Sequence, residues 1–273
     1  MRGFDSKSLA LAAVSVMLLG AAPVAQQPGT TPTPRLNGHP NLNGVWYPYA
    51  GHLAPDSSKK GETLQDGSII ASYAYERRYN QQPAAQAPRP ARALPPYKPE
   101  LLAKVKDLSD RQTEADPYTY SCKPPGVPRI GPPHQIVQGD REVAFIYSDV
   151  NGNYWRIIPT DGRPHNTESD ASYLGDSVGK WAGDTLVVDV NNFNDDTWLG
   201  RDGFFHSTAL HVTERLTRRG DTLTYEVTVE DPKVLTAPWT LQSRSLELSD
   251  ERLEEAPPCR DLDRPHLTNG DHH

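Results

Sequence analysis

GDSVGKWAGDTLVVDV, residues 175–190, is the stretch that decides the expected fold. Two short apolar runs, one ending at Trp181 and one starting at Leu186, flank the tight-turn residues 182–184. Side chains alternate across a strand, so Leu186 and Val188 share one face while their neighbours take the other. The stretch therefore predicts a β-hairpin with one face in the core and the other partly exposed to solvent.

A second hairpin repeats the first one. Residues 220–223 read GDTL, as residues 183–186 do, and lie between two further segments of alternating polarity. In the later segment, 223–229, every second residue is apolar and the others are Thr or Glu, which is typical of a half-buried strand. In the earlier segment, 210–216, the same alternation places the acidic Glu214 on the apolar face.

Four more segments carry strand signals. They lie at residues 135–138, 143–148, 154–158 and 239–246. Strands joined by tight turns usually pair with their neighbours in sequence, so an antiparallel meander is the simplest topology. Roughly eight to nine strands result, which is enough to close a barrel or to form a sandwich.

The β region opens with Gly44-Val45-Trp46. A Gly-x-Trp at this place resembles the first strand of lipocalin-like (calycin) barrels, in which the Trp plugs one barrel end. The other interpretation is an ordinary strand with a core Trp. We predict a mainly β fold whose antiparallel meander closes into a lipocalin-like barrel, with a Pro-rich arm and one short helix laid against it.

The N terminus has the pattern of a secretory signal peptide. Arg2 and Lys7 precede an apolar run from Leu9 to Leu19, and small residues follow as far as Ala25. The run is too short to span a bilayer. We predict cleavage after Ala25 and a periplasmic or secreted protein without an integral membrane segment; a buried N-terminal helix is the alternative.

The rest of the chain divides by composition. A flexible tail is expected over residues 26–40, which are rich in Pro, Thr and Gln. A single β-barrel domain over 41–262 carries a Pro-rich insertion at 50–130, and a disordered tail follows at 263–273. Within the insertion, apolar residues recur at helical spacing over 101–108 and predict the short helix.

Charge and motifs restrict the partners. The whole chain has a formal net charge of −7, and loss of the signal peptide removes two basic residues and one acidic residue. A more acidic exported chain without a basic block argues against nucleic acid and anionic lipid. The sequence contains neither a phosphate-cradling loop nor a dinucleotide fingerprint, so we predict no cofactor. A small-molecule ligand or substrate is the expected partner.

The chain has two cysteines, Cys122 and Cys259. Exported chains meet an oxidising compartment, so we expect the two to pair in a disulfide bond. In the chain-entropy model a loop of this length gives a stabilisation of roughly 5 kcal/mol as an upper bound. Two separate buried thiols are the alternative, because sequence alone does not show that the two cysteines meet.

The run from Gly175 to Asp189 looks like the signature of a large group of exported bacterial proteins of unassigned function. Other similar motifs are Gly44-Val45-Trp46, CKPPGVPR at 122–129, Arg156 with DGRPH at 161–165, and His206-Ser207 followed by Glu214-Arg215. The resemblance implies export, a β-rich fold and a shared site region, but no particular reaction. The group commonly has an acidic residue, Gly and Asn just after the last cysteine, whereas Cys259 is followed by RDLD.

Five polar residues of the central stretch are candidates for catalysis. They are Arg156, Asp161, His165, His206 and Glu214. Arg156 is suited to holding a carboxylate or phosphate, or else to a structural ion pair with Glu214. His165 follows a tight turn at a strand end and is either a general base or an ordinary surface histidine. His206 is either a second acid–base group or a cap for its loop.

Aromatic residues near these groups are candidates to line a ligand site. They are Trp155, Tyr173, Trp181 and Trp198. Barrels of this type hold small apolar or amphipathic ligands in their mouths. His165 and His206 lack the close paired spacing of a zinc motif, so no metal site is predicted.

Three functions remain open at this level. The first is a barrel that binds a small organic ligand in its cavity. The second is a cofactor-free lyase, isomerase or hydrolase that uses His165 and His206 as acid and base, with Arg156 anchoring the substrate. The third is a structural envelope protein with no pocket. An enzyme requires both histidines within reach of one cavity, whereas a binder requires only the cavity.

Overall fold

A computed structural model describes residues 32–47, 94–149, 152–250 and 252–253. This part of the chain is mainly β, as the sequence predicts. The strands are β1 (Arg35–Leu36), β2 (His39–Pro40), β3 (Gly44–Tyr47), β4 (Gln135–Gln138), β5 (Glu142–Asp149), β6 (Gly152–Pro159), β7 (Asp176–Ala182), β8 (Thr185–Asn191), β9 (His211–Arg219), β10 (Thr222–Glu230), β11 (Trp239–Thr240) and β12 (Arg244–Ser249). The helices are α1 (Leu102–Asp110), α2 (Gln112–Ala115) and α3 (Pro117–Ser121), with a 3₁₀ turn at Pro99–Leu101 before α1.

One antiparallel sheet forms a nearly closed barrel. Its strand order is β6-β5-β4-β3-β12-β10-β9-β8-β7, and β11 pairs with β10 outside this path. Both predicted GDTL hairpins are confirmed, because β7 pairs with β8 and β9 pairs with β10. The strands β6 and β7 lie at the two ends of the path and face each other across a seam.

The relative direction of β6 and β7 follows from the number of strands. Nine strands alternate in direction along the path, so the two end strands, β6 and β7, run in the same direction. A connection between parallel neighbours has to cross back along the sheet, and residues 160–175 make this crossing. In the described part of the chain, β6 and β7 share no ladder pairing, so side chains hold the seam together.

Large side chains fill the barrel interior. Alternate residues of each strand point inward, and the aliphatic and aromatic ones among them are buried in one core. The largest fully buried side chains are Trp46, Tyr147, Phe145, Phe193, Leu42, Ile136, Ile158, Leu186, Leu199, Leu210 and Leu216.

Trp46 on β3 is a core residue. Its indole is fully buried, and Nε1 donates a hydrogen bond to the Leu42 carbonyl at 2.9 Å. The guanidinium of Arg218 lies over the ring, 5.1 Å from its centroid. The barrel and its inward-facing tryptophan agree with the sequence analysis, and the specific relationship to lipocalins stays a prediction.

Residues 32–43 form a strap across the barrel end that carries the hairpin turns. Arg35 forms an ion pair with Asp184 at 2.9 Å, and the ring of His39 stacks on Trp181 with a centroid separation of 4.5 Å. The sequence analysis expected a flexible tail over 26–40, whereas Arg35 and His39 make these contacts in the structure. Their side chains find partners on turns that are distant in sequence, which composition alone does not reveal.

The predicted short helix is confirmed as α1, and α2 and α3 follow it. Val105 and Leu108 of α1 pack against the core, whereas Leu102 is exposed. Asp116 caps α3 by accepting a hydrogen bond from the Tyr118 amide at 3.2 Å. None of the helices in the described ranges combines the length and the apolar character that crossing a membrane requires.

Several predictions concern residues outside the described ranges. These are the signal peptide over 1–25, the part of the Pro-rich insertion over 48–93, Cys259, and the tail at 263–273.

Candidate functional site

A cleft of about 430 Å³ opens at the end of the seam where β6 and β7 begin. The seam is tight further along, because a Cβ on Gly179 would lie 3.0 Å from Ile158 Cγ2. The volume is within the range of roughly 300–1,000 Å³ that small-molecule pockets occupy. The cleft is lined by Pro124, Tyr154, Trp155, Arg156, Ile157 and residues 172–177.

Arg156 forms part of the inner wall of the cleft and crosses the seam. Its Nη2 donates to Ser177 Oγ at 2.8 Å and to Glu214 Oε2 at 2.6 Å. Its Nη1 donates to the Tyr147 hydroxyl at 3.1 Å. The hydroxyl of Tyr225 donates to the other carboxylate oxygen of Glu214 at 2.7 Å. The ion pair that the sequence analysis offered as the structural interpretation of Arg156 and Glu214 is present, and all five residues are buried.

The charges of this network balance inside the barrel. Burial opposes the charged form of Arg156, but Glu214 more than offsets burial and raises the guanidinium pKa above its ordinary value. Burial raises the pKa of the Tyr147 and Tyr225 hydroxyls, which therefore stay protonated. Tyr147 accepts from Arg156, and Tyr225 donates to Glu214. Since Glu214 neutralises Arg156, the guanidinium is a weak anchor for an anion in the cleft.

Two histidines and three carboxylates alternate along the outer face of β7 to β10. His165 Nδ1 lies 2.6 Å from Asp176 Oδ2, and its Nε2 lies 2.8 Å from Asp189 Oδ1. His211 Nε2 lies 2.8 Å from Asp189 Oδ2, and its Nδ1 lies 3.2 Å from Glu230 Oε2. We call these five residues the imidazole–carboxylate chain. Its first member, Asp176, also lines the cleft.

The contacts of His211 favour its protonated form. Each ring nitrogen of His211 faces a carboxylate oxygen, and an imidazole can donate from both nitrogens only as the cation. Burial lowers the pKa of His211, but hydrogen bonds to Asp189 and Glu230 prevail and raise it overall. Burial likewise raises the pKa of Asp189, and the hydrogen bonds from the two histidines reverse this and lower it.

Asp161 lies at the start of the crossing segment and does not line the cleft. Its Oδ2 accepts hydrogen bonds from Arg163 at 2.6 Å and from Arg141 at 2.7 Å. These hydrogen bonds hold the pKa of the Asp161 carboxyl far below its ordinary value. Asp161, a predicted catalytic candidate, therefore forms ion pairs with Arg141 and Arg163 that fix the turn after β6.

His206 is buried in the loop between β8 and β9 and also lies apart from the cleft lining. Its Nδ1 is 3.0 Å from the Ser207 carbonyl, so Nδ1 carries the proton and donates. Its Nε2 therefore accepts from the Thr197 hydroxyl at 2.6 Å. Burial lowers the pKa of His206, which favours this neutral form. The contacts match the loop-cap interpretation.

Of the four predicted ligand-binding aromatics, Trp155 and Tyr173 line the cleft. Trp181 instead stacks on His39, and Trp198 is buried in the core. All four were predicted from their aromatic side chains, but their positions in the fold place only two of them at the cleft.

The sequence analysis missed several groups of the site. Tyr154 and Asp176 line the cleft, and His211 and Glu230 belong to the imidazole–carboxylate chain. The one available signal was alternation, which places Asp189 on the partly wet face of β8.

Cys122 follows α3 and is not a free thiol. Its expected partner, Cys259, lies outside the described residues, so the disulfide between them stays a prediction.

Comparison with known protein families and with curated proteins gave no match for this chain.

Proposed function

We propose that this protein binds a small organic molecule in the cleft at the β6–β7 seam. The observation that carries the proposal is a cleft of about 430 Å³ lined by the aromatic side chains of Tyr154, Trp155 and Tyr173. Ligand sites commonly combine such apolar walls with a few fixed polar groups, and here Asp176 and Ser177 supply them.

Exposure of Trp155 supports a binding role. This side chain is 68% exposed, although it lies in a regular strand, and the neighbouring outward residue Ile157 is 49% exposed. Large apolar side chains grouped beside a concave surface are typical of places where a ligand covers them. The barrel interior, in contrast, is occupied by core side chains and by the network of Arg156 and Glu214.

Binding is favoured over acid–base catalysis by the positions of the two histidines. His165 approaches the cleft only through its hydrogen bond to Asp176, and His206 is held by Thr197 and Ser207. An acid and a base that act on one substrate have to reach it from one site. The cleft also distinguishes this proposal from a purely structural envelope role, which requires no pocket.

The proposal also includes export of the protein from the cytoplasm. The pattern of Arg2, Lys7 and the apolar run that ends at Leu19 favours a signal peptide cleaved after Ala25, and thus a periplasmic or secreted binding protein. N-terminal sequencing of the protein recovered from outside the cytoplasm tests this part. A mature N terminus at Gln26 is expected, and a retained Met1 contradicts export.

A screen of small aromatic compounds by ligand-observed NMR tests the binding proposal. Compounds that bind the wild-type protein are expected to lose binding in Tyr173→Ala and in Trp155→Ala. Trp181→Ala is the matched control, because Trp181 stacks on the N-terminal strap and does not line the cleft. Binding that survives both cleft substitutions, or a screen without any bound compound, contradicts the proposal.

A further inference from the structure

We infer that the cleft selects organic cations, with the positive group of the ligand held between aromatic faces and the carboxylate of Asp176. The inference deepens the proposed function and rests on it. It names the charge class of the ligand, which the volume of the cleft leaves undetermined.

The aromatic lining suits a cation. Tyr154, Trp155 and Tyr173 border the same cleft, and Trp155 is the most exposed of the large apolar residues in the described part of the chain. The electron-rich faces of Trp and Tyr attract ammonium groups, with quaternary ammonium ions as the ligands most often recognised in this way. A Trp face left open to solvent beside a carboxylate supplies both parts of such a site.

Asp176 is positioned to accept a ligand. Its Oδ2 takes hydrogen bonds from His165 Nδ1 at 2.6 Å and from the Asn166 amide at 3.1 Å. These bonds fix the carboxylate. Among the described residues none hydrogen-bonds to its other oxygen, Oδ1, and the side chain is 25% exposed at the cleft.

The cations near the cleft are already paired with carboxylates. Arg156 pairs with Glu214 at 2.6 Å and is almost fully buried. Lys123, whose neighbour Pro124 lines the cleft, pairs with Asp196 at 3.1 Å. An anionic ligand would therefore meet Asp176 without a free positive partner among these residues.

The imidazole–carboxylate chain keeps the cleft edge acidic. It contains three carboxylates and two imidazoles, so its net charge is negative even when both histidines are protonated. A cation beside Asp176 gains from this charge, and an anion is opposed by it.

Three probes of similar shape and different charge test the inference by calorimetry. They are benzyltrimethylammonium, benzyl alcohol and benzoate. We expect the cation to bind about tenfold more tightly than the neutral probe, with benzoate weakest, and we expect added salt to weaken cation binding alone. Neutral or anionic binding of equal strength overturns the inference but leaves the proposed function standing.

Two variants separate the charge from the aromatic contribution. Asp176→Asn keeps the size of the side chain and is expected to weaken the cation about tenfold while leaving benzyl alcohol unchanged. Trp155→Leu keeps apolar bulk at an exposed position, so it should fold normally and lose affinity for the cation more than for the alcohol. If both variants bind the cation like the wild type, the inference is wrong. If none of the probes binds folded wild-type protein, the inference is also wrong, and the aromatic screen decides the proposed function separately.

Discussion

Arg156 on β6 donates a hydrogen bond of 2.8 Å to the hydroxyl of Ser177 on β7. The hydrogen bond crosses a seam at which the described residues of β6 and β7 form no ladder pairing. Backbone ladders close every other junction of the barrel. Here a buried side chain replaces the ladder, and the same guanidinium continues to Glu214 in the interior. The seam and the core are thus joined through one residue.

Removal of one partner of the buried pair should be costly. Arg156→Met leaves the carboxylate of Glu214 buried with only Tyr225 as a donor, and we expect a loss of about 3–5 kcal/mol in unfolding free energy. Urea denaturation measures it. The double variant Arg156→Met with Glu214→Leu should recover much of the loss, because no isolated charge is left.

The matched control for this pair is Arg163→Met. Arg163 also pairs with a carboxylate, that of Asp161, but its side chain is 52% exposed. A pair with an exposed guanidinium contributes little, so Arg163→Met should cost much less than Arg156→Met. Equal losses for Arg156→Met and Arg163→Met would show that the inner pair does not hold the seam.

Replacement of Gly179 should destabilise the fold, because the seam is tight at this position. A Cβ at this position would lie 3.0 Å from Ile158 Cγ2 and 3.1 Å from Thr160 Cγ2. Gly179→Ala therefore pushes β6 away from β7, and we expect a loss of about 1–3 kcal/mol in unfolding free energy from overpacking. Lys180→Ala on the outer face of the same strand is the control, with little expected change. A neutral effect of Gly179→Ala would mean that the seam is loose.

Alternation explains why much of the barrel was predictable. A period of two assigns each strand residue to a face, so the burial of Glu214 with Leu216 and Leu210 followed from local sequence. The two GDTL turns fixed their hairpins for the same reason. The partner of Glu214 was harder to predict, because Arg156 lies 58 residues earlier and meets Glu214 only when the sheet curves into a barrel.

The cleft depends on a global property. It lies where β6 and β7, which are parallel because the path has an odd number of strands, share no ladder pairing in the described part of the chain. No single segment of the sequence shows this arrangement. Trp155 and Trp198 have the same side chain, yet one lies at the open seam and the other is buried in the core. His211 was missed because its carboxylate partners lie on neighbouring strands, 19 and 22 residues away.

Protonation of His211 should stabilise the fold. The pKa of His211 is raised in the folded state, so its contribution is fully present below the unfolded value near 6.5 and is lost as the pH rises through the higher folded value. NMR titration of the His211 ring should give a pKa above 6.5 in the wild type and a lower one in Asp189→Asn. A titration that Asp189→Asn leaves unchanged would show that the carboxylate does not hold the imidazolium.

A count of reactive thiols should show that the two cysteines form a disulfide bond. We expect no reactive thiol in the denatured protein without reductant and two after reduction, measured with a thiol reagent. The Cys122→Ser variant should show one free thiol, from Cys259, and lower stability by no more than roughly 5 kcal/mol. Two thiols in the unreduced wild type would favour the separate buried cysteines.

His134 should make the protein sensitive to mild acid. Its Nδ1 accepts a hydrogen bond from the Ser148 amide at 3.0 Å, and burial, with the nearby charge of Arg244, lowers its pKa to about 4. The unfolded state binds a proton near pH 6.5, so stability is present above that value and falls by about 3 kcal/mol as the pH drops from 6.5 to 4. Carboxylates titrate in the same window, and His134→Asn isolates the histidine because Asn Oδ1 can accept the same amide hydrogen and does not titrate. Urea denaturation at pH 7, 5 and 4 should show a shallower pH dependence for this variant, and parallel curves for the two proteins would refute the assignment.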